Sequence, residues 1–146
     1  MLIEISEGEA LDRLSILEIK NNRITDSLQL LEIQKEILSL SSIYSLKNKY
    51  ILYYKLLVNI NIAIWDKTNF AKETKEFNSK YGLNAYEIFA HNQERFRIKN
   101  IINYSENSNL KEQKSYPKKE IVCELTTCNH SIEYILYLFS YLLITY

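Results

Sequence analysis

Two glycines and one proline are all that 146 residues offer for turning the backbone sharply. An all-β sandwich or barrel needs many tight turns, and Gly8, Gly82 and Pro117 cannot supply them. Long helices joined by polar connections are the economical alternative. A chain of this length buries enough surface for one core without disulfide staples, so residues 1–146 read as a single domain. The predicted class is mainly α: an antiparallel bundle of two shorter and two longer helices, with a small terminal two-stranded β element. The same shortage of glycine rules out a Walker A loop and a dinucleotide fingerprint.

Local patterns place the elements. Residues 2–5 alternate apolar and polar and predict a short strand. Ser6-Glu7-Gly8-Glu9 fits a capping box, in which Ser6 accepts the Glu9 amide and the Glu9 carboxylate reaches back. Ala10, Leu11, Leu14 and Leu17 then carry a helix over 7–23. Thr25, Asp26 and Ser27 supply the next cap, for a second helix that frays near Ser39, Ser41 and Ser42. A long third helix is predicted from about Lys47, with Tyr50, Tyr54, Leu57, Val58 and Trp65 near one stripe. Tyr81-Gly82 reads as a break, followed by a fourth helix over 84–103 with Ala85, Phe89 and Phe96 toward the core, flanked by Ile88 and Ile102. Residues 105–119 read as a loop. Residues 121–125 suggest a strand that pairs with 2–5.

Charge and cysteine content narrow the function. The formal net charge is zero, which argues against bulk nucleic-acid binding. Residues 91–120 nonetheless hold seven bases against four acids. The opening MLIEISEGEALD lacks the basic start and apolar run of a signal peptide. Only Cys123 and Cys128 are present, too few for a disulfide scaffold, so a reducing cytoplasm is the expected setting. With His130 they look like part of a metal site, but only His91 is left to complete four ligands; no metal and no cofactor are expected. The apolar tail 132–146 is shorter than the roughly 20 residues that span a bilayer and has no basic flank, so it is expected to pack on the bundle.

The densest set of anion-holding groups lies in 91–116. His91, Arg95 and Lys99 recur at four-residue steps and share a helix face. Asn92 falls on the apolar stripe, where a buried amide needs partners. Arg95 and Lys99 are suited to phosphate or carboxylate, and a loop bearing Lys114 and Tyr116 could close over it. The plainer reading is a solvated face, with Glu87 and Glu94 pairing locally with His91 and Arg97. On the first helix, Glu9 and Asp12 are accounted for by capping and by the helix dipole. Glu18 borders the leucine stripe and calls for a cation, for which Arg95 or Arg97 is the candidate.

The opening IEISEGEALDRLSILEIKNNRI resembles a family of uncharacterised bacterial and giant-virus proteins that begin with an EIS-x-GEALD-x-LSILEIK block. Ile64-Trp65, NQERFRIKN at 92–100 and NLKEQKSY at 109–116 extend the resemblance over most of residues 2–116. It implies a largely helical fold and, for some relatives, a place beside or fused to glycosyltransferase and other sugar-related regions. It assigns no activity. In longer relatives the chain continues past the KSY block, so 117–146 reads as an altered or shortened continuation. The matching positions that draw attention are Glu9, Asp12, Glu18, Asn92, Arg95, Arg97, Lys99, Lys114 and Tyr116.

The leading expectation is a non-catalytic accessory or interaction module linked to glycan or glycosyltransferase systems, acting on a protein partner or as a homo-oligomer. Tyr50, Tyr53, Tyr54 and Trp65 are the expected contact surface, since aromatics are enriched in interfaces. The rival is a small helical enzyme or nucleotide-sugar binder that holds an anionic ligand in a basic pocket, with Arg95 and Lys99 as clamp and Glu18 orienting the ligand or accepting a proton.

Overall fold

The computed structural model describes residues 3–74 and 78–115. The chain divides into two units, Met1–Glu112 and Gln113–Tyr146. The first contains α1 (Glu7–Arg23), α2 (Ser27–Ser39), a 3-10 turn (Ser41–Ile43), α3 (Tyr44–Lys49), α4 (Ile51–Glu73) and α5 (Ser79–Ser105). Of the second, only residues 113–115 are described, and they form no regular element.

Caps and leucine spacing produce the first two helices as expected. Ser6 accepts the Glu9 amide at 3.4 Å, and Leu11, Leu14 and Leu17 are buried. Acids in the first turn and Lys20 and Arg23 in the last complement the helix dipole. Asp26 caps α2 by accepting the Gln29 amide at 2.8 Å. Between them, α1 and α2 form an antiparallel hairpin: Arg13 pairs with Glu36 near its open end.

Three expectations are corrected. The long third helix is two helices, because Tyr50 leaves helical geometry (φ −108°, ψ 35°). Its hydroxyl donates to Glu106 just past α5, and Lys49 pairs with the same carboxylate at 2.6 Å, so the joint is pinned to the end of α5. Tyr81-Gly82 is no break. Asn78 caps α5 by accepting the Tyr81 amide at 3.1 Å, and this cap offsets the roughly 1 kcal/mol that a helical glycine costs. The inward face of α5 is also different. Asn84 turns toward α4 and donates to the Lys67 carbonyl at 2.8 Å, which leaves Ala85 and Phe89 exposed. Ile98, Lys99 and Asn103 are buried instead, together with Ile102, which was expected to flank the core face.

The core lies where α1, α4 and α5 meet, around Leu11, Leu14, Leu57, Ile98 and Ile102. Lys67–Glu87 near one end and Lys49–Glu106 at the other show that α4 and α5 run antiparallel. Contacts between α1 and α5 also run in opposite senses, as the site below makes plain. Among the described residues there is no strand; residues 3–5 are irregular, and the expected strand at 121–125 lies outside them. No helix among them is long and apolar enough to cross a membrane. The tail 132–146 and Cys123, Cys128 and His130 also lie outside the described residues.

Candidate functional site

On α1 a second stripe runs beside the leucines. Gly8, Asp12, Ser15 and Ile19 fall three or four residues apart, and all are buried. This stripe faces α5 and α4. Gly8 sits at a close approach of α1 to α5. A Cβ there would overlap the Lys99 carbonyl and lie 2.8 Å from Asn103 Oδ1. The missing side chain lets the Gly8 amide donate to Asn103 Oδ1 at 2.7 Å.

One turn further, Asp12 is 0% exposed and meets Arg95 from α5. Arg95 Nε donates to both carboxylate oxygens at 2.8 and 3.0 Å, and Nη2 donates to Oδ2 at 2.6 Å. Asn61 from α4 completes the group: its Nδ2 lies 2.9 Å from Asp12 Oδ1 and 2.8 Å from Ser15 Oγ. Ser15 itself donates to the Asp12 carbonyl at 2.7 Å. A carboxylate removed from water is costly unless its lone pairs are filled, and here a bidentate guanidinium and an amide fill them. Asp12 is the leading reason that the Arg95 pKa is held above its ordinary value.

The next turn repeats the pattern. Lys99 is 8% exposed and lies between Glu9, at 2.8 Å, and Glu112, at 2.7 Å. Burial works against its charge, but the two carboxylates outweigh burial and raise its pKa. The Glu9 carboxylate is thus directed to α5. Asn103 and the following loop close the row, with the Ser108 hydroxyl donating to Glu7 and lying 3.4 Å from Asn103 Oδ1. Partners on α1 descend from Asp12 to Glu7 as those on the other strand of chain ascend from Arg95 to Ser108. The two helices are therefore antiparallel.

The expected anion-holding residues do not all meet. Arg95 and Lys99 lie on adjacent turns, and Asn92 supports Arg95 weakly, with Oδ1 3.4 Å from Nη1 while its own Nδ2 donates to the Ile88 carbonyl. His91 pairs with Glu94 at 3.0 Å, and Glu87 pairs with Lys67 rather than with His91. Glu18 takes its cation from Lys47, at 2.7 Å, rather than from Arg95 or Arg97. Lys114 belongs to the second unit, and Tyr116 lies outside the described residues. Asn61, Ser15, Asn103 and Glu112 were not singled out by the sequence. The regular spacing of small and polar residues at 8, 12 and 15 was the available signal.

Two clefts border Arg95. One, of about 220 Å³, is walled by Ile16 and Ile19 of α1 and by Asn61, Ile64, Trp65, Thr68, Asn69 and Lys72 of α4. The other, of about 170 Å³, lies among Glu9, Asp12, Arg13, Lys20 and Glu36. Among the described residues, no group of three or more His, Cys, Asp or Glu is placed to hold a metal ion.

The chain belongs to a family of unknown function (DUF6165), whose model matches residues 1–131. No curated protein and no solved structure matches it.

Proposed function

We propose that this family member is a non-catalytic interaction module that presents the outer face of α2 to a helix of another polypeptide. One observation carries the reading. Leu28, Leu31 and Leu38 lie along one side of α2 and are 74%, 50% and 70% exposed. Ile33, on the opposite side, is the residue that α2 buries. A helix whose outward side carries leucines at spacings of three and seven has the anchor pattern of helix-on-helix recognition. Large apolar side chains exposed along one helix side in this way mark contact sites. The aromatic surface expected from the sequence is less suitable: Tyr54 is buried, and Trp65 is partly buried in the cleft beside Arg95.

Two occupants are tested first. Sedimentation of the wild-type chain over a range of concentrations reads a second copy. Binding to a purified glycosyltransferase region reads the partner class that the sequence resemblance puts forward. Replacing Leu31 and Leu38 together by Glu should abolish the association that is seen, with the melting temperature changed little. Association that persists in the double variant would show that α2 is not the contact surface, and the absence of both associations would remove these two occupants.

A further inference from the structure

We propose that the cleft between α1 and α4 binds a small organic monocarboxylate with a compact apolar body. The inference is independent of the α2 reading and uses different residues. Three features select the ligand. The first is size. A cavity of about 150 Å³ holds a benzene-sized molecule, so a cleft of about 220 Å³ takes a body slightly larger than one aromatic ring. The second is the wall. Ile16 and Ile19 of α1 and Ile64 and Trp65 of α4 line the cleft, which suits an aryl or branched alkyl group, while Thr68 and Asn69 add groups able to hydrogen-bond.

The third is charge. Arg95 lines the cleft, with Asp12 occupying Nε and Nη2. Its Nη1 reaches Asn92 at only 3.4 Å, and the side chain remains 24% exposed, so the guanidinium keeps donor capacity for a further oxygen. Lys72 also lines the cleft. Both charged residues of the lining are cations and Asp12 already pairs with one of them, which suits a singly charged anion. The second cleft is a poorer candidate: Glu9, Asp12 and Glu36 cancel Arg13, Lys20 and Arg95, and charged groups replace the apolar wall.

Trp65 is the chain's single tryptophan and lines the cleft, so its fluorescence reports on occupancy there. Titration with 3-phenylpropanoate should change the emission saturably and raise the melting temperature. The neutral amide of the same acid should bind about tenfold more weakly or worse. Thr68→Phe, which fills the cleft, should remove the response. Lys72→Glu, at an exposed position that does not support the core, should weaken it several-fold. An absent response at millimolar acid, equal binding of the amide, or unchanged affinity in both variants would overturn the proposal. Tighter binding of phenyl phosphate than of the carboxylate would overturn the monoanion assignment.

Discussion

A Cβ at Gly8 would collide with backbone of α5, whereas one at Gly82 would meet nothing within 4 Å. The two glycines of one chain should therefore respond oppositely to alanine. Gly8→Ala is expected to cost about 1–3 kcal/mol by forcing α1 from α5, and Gly82→Ala to add about 0.5–1 kcal/mol by restricting the unfolded chain. Thermal melts of the two variants check both signs. Asp12→Ala should be among the most damaging changes. Removing one member of a buried pair costs about 3–5 kcal/mol, and the partial exposure of Arg95 points to the lower end. Asp12→Leu combined with Arg95→Met should recover much of the loss in denaturant titrations. At Tyr54, burial raises the hydroxyl's pKa, and the nearby Glu18 adds to it. The unfolded chain ionises this tyrosine near pH 10 while the folded chain keeps it protonated. Its contribution is thus whole below about pH 10 and declines above it. Melting temperatures between about pH 9 and 11 should fall less steeply in Tyr54→Phe than in wild type. Asp12 itself was legible only as a helix-dipole residue, because Arg95 lies 83 positions away and nothing local announces it.

At the level of elements, legibility followed how locally each boundary is determined. The Ser6 and Asp26 caps and the leucines of α1 lie within a few residues of what they control, and α1 and α2 begin where those signals put them. The break at Tyr50 depends on Glu106, 56 residues on, and the continuation through Gly82 depends on Asn78 rather than on the glycine. The face of α5 was misassigned because apolar counting favours Ala85 and Phe89, while the buried positions include Lys99 and Asn103. A lysine can be buried only when carboxylates come to it, here from Glu9 and Glu112. The end of α5 illustrates the same dependence. Asn107 adopts positive φ, and the Asn107 and Ser108 amides return to the Tyr104 and Asn103 carbonyls, a Schellman ending with asparagine in the glycine position.

Burial is unequal across the first unit, and its opening should be unequal too. Eight residues of α1 are buried, against one in α2 and none in α3. Native-state hydrogen exchange should find the α2 amides opening well before those of α1, α4 and α5. Slow exchange throughout α2 in a monomer would contradict this. Binding at the leucine face would then be read as protection gained in α2. The contacts from Glu4 to Asn109, Glu7 to Ser108 and Gly8 to Asn103 have a different consequence. They bring the two ends of the first unit side by side, so the order of its helices along the chain is separable from their packing. A short linker from Glu112 to Glu4, with new ends opened at the 3-10 turn Ser41–Ile43, should give a circular permutant that retains the ion pairs joining α1 to α5.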